Sequence, residues 1–190
     1  FSVLYPIADF HNQTILARRA RLQHLGDSPA DDVFLQSMAA FYALDRQPHP
    51  LPTRADTLRE LLQRVDIVPP SLVLAQGAIE SGWGTSRFAR RGNNLFGQRI
   101  WRSDLAGLQA MGAKGARFRL AAYETVSASV RSYIRNLNSH PAYAELRVLR
   151  AQMRARDELV NGRLLAKGLV HYSTRGEEYV RDVQRMIKSN

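Results

Sequence analysis

Apolar residues return at intervals of three and four along most of the chain. Leu58, Leu61, Leu62 and Val65 keep this spacing, as do Val126, Val130, Tyr133, Ile134 and Leu137, and again Tyr179, Val180, Val183, Met186 and Ile187. Side chains spaced in this way share one face of an α-helix, so the pattern predicts a mainly α protein. A first helix is expected from about Ile7 to His24, carrying Arg18, Arg19 and Arg21, with a turn over Asp27 to Ala30. A second is expected to end near Asp45, ahead of Pro48, Pro50 and Pro52, and Thr53 has the side chain to cap the helix that follows. Pro69 and Pro70 mark another start before Ser71. From there SLVLAQGAIE is apolar on nearly every face, which predicts a central helix enclosed on all sides. Gly82, Trp83 and Gly84 end it abruptly.

Helical spacing is lost from Gln98 to Ala122, where Gly107, Gly112 and Gly115 fall and only Phe118, Arg119 and Leu120 alternate. A loop with a small β-hairpin is expected there. Helices resume at Thr125, with breaks near His140 and Pro141, near Asn161 and Gly162, and near Gly168. The sequence has no internal repeat. The expected organisation is one domain over 1–190, with the central helix and its following loop in 71–97, the loop and β-lobe in 98–122, and C-terminal helices in 125–190.

Composition narrows the chemistry. A chain of 190 residues, 45% hydrophobic, can bury a core without covalent staples. No apolar run approaches the roughly 18 residues that a membrane-spanning helix needs. The absence of cysteine removes thiolate metal sites, disulfides and cysteine nucleophiles. His11, His24, His49, His140 and His171 are too dispersed for a metal-ligand spacing, and there is no Walker loop, dinucleotide fingerprint or GxSxG elbow. No metal and no cofactor are therefore expected, and the chemistry falls to carboxylates, hydroxyls and positioned water. Phe1 is preceded by no charged and apolar leader, which leaves export open.

The net charge is +10, and the lysines are only Lys114, Lys167 and Lys188, so the positive charge is nearly all guanidinium. Its planar fork binds carboxylate and phosphate in two-point fashion, which suits acidic wall polymers, lipid head groups or nucleic acid. An arginine-favouring base composition explains the bias equally well. No RNP, zinc-finger or helix-turn-helix signature accompanies the charge, so a nucleic-acid partner is not expected.

Glu80 stands out because it closes the apolar central helix. Burial disfavours its charged form and the helix dipole adds negative potential, so both raise its pKa. A carboxyl held neutral in this way can protonate the leaving oxygen of a glycosidic bond. The alternative is a structural one, in which Glu80 caps a turn or pairs with Arg87, Arg90 or Arg91.

The run AQGAIESGWGTSRFARRGNNLFGQ resembles the catalytic stretch of the bacterial glucosaminidases of glycoside hydrolase family 73, where a glutamate ends a helix before SGWG and a GNNLFG loop follows. The segments SVRSYIRNLNSHPAYAELRVLRAQMR and LAKGLVHYSTRGEEYV, with the terminal MIKSN, are similar to one branch of it, the Bax-type glucosaminidases of bacteria. The resemblance runs from about Phe1 to Asn190. It implies a lysozyme-like, mainly helical fold with a small β-lobe. It also implies hydrolysis of the β-1,4 bond that follows N-acetylglucosamine in the glycan strands of peptidoglycan, by a monomer in the periplasm or cell envelope.

Carried onto this sequence, the resemblance makes Glu80 the proton donor and puts Tyr172 near the catalytic centre, orienting a water or the N-acetyl group. Trp83 and Phe96 are candidates for stacking on sugar faces, or for filling the core. Asn93, Asn94 and Gln98 are candidates for binding acetamido and hydroxyl groups, although both asparagines equally suit left-handed turn positions. Arg87, Arg90, Arg91, Arg99 and Arg102 are expected to flank the groove.

The departure is in the second acid. The strand position that the family gives to a carboxylate falls near Arg119; Asp104 is the acid available between Trp101 and Tyr123, and Glu124 lies just beyond. Either Asp104 serves, or the substrate's 2-acetamido group attacks in its place, or catalysis is impaired. A wall-binding homologue of weak activity and a lytic transglycosylase of the same fold stand as the alternative functions.

Overall fold

The computed structural model describes residues 3–46, 53–100, 107–108 and 119–189. The first helix, α1, runs Leu4–Gln23 and so begins before the expected Ile7. Pro6 falls in its first turn, where a backbone N–H has no acceptor within the helix and its loss costs nothing. Ser28 caps α2 (Pro29–Phe41), which ends sooner than expected; Ala43 then takes a left-handed φ of 58° before a single 3₁₀ turn over Leu44–Arg46. The prolines at 48, 50 and 52 lie outside the described residues. Thr53 caps α3 (Arg54–Arg64) by accepting from Asp56 N, as its side chain predicts.

The central helix α4 (Pro70–Ser81) has Pro70 at its first position, and Leu72, Val73, Gln76 and Ala78 are among its buried residues. It packs against α1 and against two C-terminal helices, α8 (Gly162–Leu165) and α9 (Glu177–Ser189). Burying side chains such as Leu72 and Val73 completely stabilises the fold by about 1.5–3 kcal/mol each. The helix stops at Gly82, whose φ of 56° is a left-handed cap that costs little without a Cβ. A short α5 (Arg87–Gly92) follows.

The lobe expected over 98–122 contains three short strands: β1 (Arg99–Ile100), β2 (Gly107–Leu108) and β3 (Arg119–Ala121). The last strand lies between the other two and pairs antiparallel with both, Arg99 opposite Leu120 and Gly107 opposite Ala121. Thr125 caps α6 (Val126–Ser139), a 3₁₀ turn over Pro141–Tyr143 leads into α7 (Ala144–Ala155), and α8 (Gly162–Leu165), a 3₁₀ turn over Ala166–Leu169 and α9 (Glu177–Ser189) complete the order. None of the helices among the described residues is long and apolar enough to cross a membrane.

A polar knot crosses the core beneath these helices. The Asp66 carboxylate, 1% exposed, accepts from Arg154 at 2.8 and 3.1 Å and has Arg19 at 3.7 Å and Arg150 at 4.0 Å. Arg150 is equally buried and donates to the carbonyls of Asp66, Ile67 and Gln63 and to Asn138 Oδ1. Burial pushes the Arg150 guanidinium down to about 10. Burial also works to raise Asp66, but the hydrogen bonds from Arg154 and the charges of Arg150 and Arg19 outweigh it and leave the carboxyl below its usual range. One acid thus ties α1, α7 and the turn after α3 together.

Candidate active site

Glu80 projects from the last turn of α4 into a cleft of about 870 Å³. One wall is the loop after α5 and the start of β1, from Phe96 to Arg99. The other comes from Asn136, His140 and Tyr143, with the segment from Val170 to Thr174 closing the end. Among the described residues lining the cleft, Glu80 is the one carboxylate.

The loop that faces Glu80 is shaped by its two asparagines. Asn93 sits at a left-handed φ of 49° as the cap of α5, and its side-chain amide donates to the carbonyls of Tyr123 and Glu124. Asn94, 2% exposed, donates to the carbonyls of Gln98 and Ala121 at 2.9 Å and accepts from Gln98 N at 3.0 Å. Both amides are spent on backbone carbonyls around the end of the sheet, and of the two only Asn93 takes the left-handed turn position considered for them. Gly97 then passes close to the acid. A Cβ built on it would lie 3.3 Å from Glu80 Oε2, and its φ of 62° is left-handed as well. Only glycine fits that place without strain.

Behind Glu80 stands a cluster of tyrosines. The Tyr133 hydroxyl donates to Gln76 Oε1 at 2.5 Å, and Gln76 Nε2 donates to the Tyr179 hydroxyl at 2.8 Å. That directs the Tyr179 proton to the Glu80 carboxylate, which lies within its hydrogen-bonding reach. The Tyr172 ring stacks on Tyr179 with centroids 5.6 Å apart and planes 3° from parallel, and its hydroxyl donates to the Phe96 carbonyl at 2.8 Å. Tyr143 completes the group, 5.8 Å from Tyr172 between ring centroids.

Electrostatics follow from this packing. Burial raises the Glu80 carboxyl above its ordinary range, and the Tyr179 hydrogen bond opposes but does not cancel that rise. Tyr133, Tyr143, Tyr172 and Tyr179 are all pushed up, first by burial and in each case partly by the negative charge of Glu80. The phenols therefore stay neutral donors. A carboxyl of raised pKa that opens on a cleft, with one neutral phenol hydrogen-bonded to it from behind, can give up a proton to something in that cleft.

The other sequence candidates fall elsewhere. Phe96 is 1% exposed and stacks on Tyr133 at 4.0 Å, so its ring fills the core and does not offer a face to a sugar. Trp83 is 55% exposed, held on a left-handed turn, and lines a separate apolar groove with Tyr5, Leu74 and Met186. The turn that ends α4 carries it away from the Glu80 cleft, and it is not a core plug either. Gln98 lines the cleft, with its side-chain oxygen accepting from Tyr123. Glu124 is exposed and lines neither wall, because Asn93 and the Thr125 cap hold its backbone outside. Asp104 and Arg102 lie outside the described residues. Of the arginines Arg87, Arg90, Arg91 and Arg99, the last lines the cleft.

Tyr133, Tyr143 and Tyr179 are the partners that the sequence reading does not single out. Tyr133 and Tyr179 occupy apolar positions in helical stripes, and their rings are indeed core. What periodicity cannot show is that the hydroxyl ends meet at the central helix.

Comparison with known proteins places this geometry in a family. The glucosaminidase family model, described as mannosyl-glycoprotein endo-beta-N-acetylglucosaminidase, matches residues 55–190. Protein bax of Escherichia coli (strain K12) is 36% identical over 189 residues, which cover 97% of this chain. The chain spans 66% of the length of that relative, just under two thirds. No solved structure matches it.

Proposed function

Because the chain belongs to the glucosaminidase family, we propose that it is a peptidoglycan hydrolase that cuts the β-1,4 bond following N-acetylglucosamine, with Glu80 as the general acid. The observation that carries this reading is the placement of a carboxyl of raised pKa on the wall of an open cleft, with neutral phenols behind it. The protonated carboxyl gives its proton to the glycosidic oxygen as the bond to the anomeric carbon breaks.

Attack by the carbonyl oxygen of the substrate's own 2-acetamido group is favoured over a second carboxylate, because the strand position near Arg119 carries no acid and Glu124 is exposed away from the cleft. The anomeric carbon then passes to a cyclic oxazoline. Water opens it while Glu80, now a carboxylate, takes the water's proton. Tyr172 suits the task of orienting the acetamido group: its proton is committed to the Phe96 carbonyl, and its oxygen keeps a lone pair for the acetamido N–H. A substrate of this kind would put the protein in the periplasm or cell envelope, acting on glycan strands without a cofactor.

Digestion of purified peptidoglycan followed by mass analysis of the fragments tests the reading. New reducing ends of N-acetylglucosamine are expected. Anhydromuramic ends would make the protein a lytic transglycosylase, and reducing muramic ends a muramidase. Glu80→Gln should lower the rate by about 10²-fold to 10⁴-fold, the usual contribution of general acid catalysis. A thiazoline analogue of the oxazoline should inhibit, and Tyr172→Phe should cost more rate than Asp104→Asn. The reverse order, with no thiazoline inhibition, would restore Asp104 as the second acid.

A further inference from the structure

Two phenols are among the described residues that line the cleft, Tyr143 and Tyr172, and the second alone has a task in the mechanism proposed. Tyr143 ends the 3₁₀ turn between α6 and α7, and that turn is firmly held. His140 Nδ1 accepts from Ala142 N at 3.2 Å, and the His140 carbonyl accepts from Tyr143 N at 3.1 Å. The buried Arg147 guanidinium donates to the same carbonyl at 2.9 Å and to that of Leu137 at 3.2 Å. The Tyr143 ring is thereby set into the cleft wall, 8% exposed, with the His140 ring 5.7 Å and the Tyr172 ring 5.8 Å away between centroids. Gly168 makes the second approach possible. A Cβ there would lie 2.3 Å from Leu146 N, so only glycine lets the segment leading to Tyr172 pack on the start of α7.

The hydroxyls of the cluster differ in what they have left to offer. Tyr133 donates to Gln76, Tyr179 directs its proton to Glu80, and Tyr172 donates to the Phe96 carbonyl. The Tyr143 hydroxyl meets the side-chain amide of Asn136, another lining residue. That contact acts to lower the phenol's pKa, as an N–H donated to its oxygen does, against the larger effect of burial. Among the described residues no acceptor takes the Tyr143 proton. Tyr172 therefore has a lone pair to offer the cleft, and Tyr143 has a proton.

An acetamido group carries an N–H on one edge of its plane and a carbonyl oxygen on the opposite edge, so an acceptor and a donor are needed together to satisfy it. We infer that Tyr143 selects substrates bearing a 2-acetamido group: its hydroxyl donates to the acetamido carbonyl oxygen, while Tyr172 accepts from the acetamido N–H. The inference rests on the hydrolase reading and deepens it, because it names the residue by which the site recognises that group of the sugar. The carbonyl oxygen has two lone pairs, so one takes the Tyr143 proton while the other faces the anomeric carbon. A sugar with a hydroxyl at the same carbon lacks the carbonyl, and binding it leaves the Tyr143 proton without an acceptor in a partly buried wall.

Calorimetric titration of the Glu80→Gln protein, which binds without turnover, tests this with two neutral probes. One is the β-1,4 tetramer of N-acetylglucosamine; the other is cellotetraose, the same backbone with a hydroxyl in place of each acetamido group. The Glu80→Gln parent is expected to prefer the N-acetylated tetramer. Adding Tyr143→Phe should cut that preference by about fivefold to tenfold, the worth of one hydrogen bond, with the affinity for cellotetraose unchanged to within about twofold. The phenyl ring keeps its packing on Tyr172 and His140, so thermal melting should barely move. Should that variant not fold, Asn136→Ala removes the amide that holds the hydroxyl and should lower the preference in the same direction. An equal loss for both tetramers would leave Tyr143 a wall residue only; that result, an unchanged preference, or no preference in the parent overturns the inference. Digestion of peptidoglycan by the wild-type protein is read separately: digestion with a preference that ignores Tyr143 removes this inference alone, and a Tyr143-dependent preference without digestion removes the hydrolase reading alone.

Discussion

The hydroxyl of Tyr179 stands between two groups, accepting from the buried amide of Gln76 at 2.8 Å and lying within hydrogen-bonding reach of the Glu80 carboxylate. The amide fixes the direction in which the phenol points its proton, and that proton favours the charged form of the acid. Tyr179→Phe therefore has two consequences of different kind. The Glu80 pKa should rise further, so the alkaline limb of the kcat/KM profile should move to higher pH. The buried Gln76 amide should lose an acceptor, at a cost of about 1–3 kcal/mol in denaturant unfolding. A drop in stability with an unmoved pH profile would mean that Tyr179 only packs.

Glu80 should make the folded protein less stable at neutral pH than its amide variant. Its folded pKa lies above the unfolded value of 4.5, so the folded state binds the extra proton, and stability falls as pH rises from 4.5 through the folded pKa. Glu80→Gln removes that dependence. Its melting temperature should exceed the wild type at pH 7, with the difference closing at pH 4. A variant that melts below the wild type at both pH values would show that the carboxylate is structural.

Gly97→Ala should damage activity more than folding. The added methyl would meet Glu80 Oε2 at 3.3 Å, and a left-handed φ of 62° costs an alanine about 1–2 kcal/mol. The carboxyl must shift to make room, so kcat should fall with the melting temperature only modestly lower. Assays of initial rate alongside thermal melting check this.

Asp66→Asn should be the most harmful of these changes to stability. It would leave Arg150 buried and positive without its counterion, at a cost of about 3–5 kcal/mol measured by urea unfolding. The same carboxylate makes the protein acid-labile. Its pKa is depressed, so its contribution is complete above the unfolded value of 3.8 and is lost as pH falls through the lower folded value.

The elements of the fold were legible where apolar periodicity or capping chemistry is strong. Thr53, Thr125 and Pro70 start the helices that their residue types announce, and the all-apolar run after Ser71 is the enclosed central helix. The three-stranded order of the lobe was not legible, because strands of two or three residues carry too little alternation to reveal which one lies in the middle. The knot around Asp66 was not legible either, since an arginine at a helical position reads as a solvated face until its partner is known. At the site, the position of Glu80 and its raised pKa follow from its place at the end of an apolar helix. The spending of Asn93 and Asn94 on backbone carbonyls, and the turning away of Trp83, depend on left-handed dihedrals at Gly82, Trp83 and Asn93 that determine where side chains point but leave no periodic trace.

The cleft around Glu80 is assembled from pieces far apart along the polypeptide: the acid on α4, one wall just after α5, the other near His140, and the end wall near Tyr172. A growing chain that has made α4 holds the acid but none of the phenols packed behind it, because Tyr133, Tyr143, Tyr172 and Tyr179 all come later. The surroundings that set the Glu80 pKa therefore come together only once α9 has been made and packed against α4. Loss of α9 would take away Tyr179, the hydroxyl within reach of Glu80, without touching the acid itself.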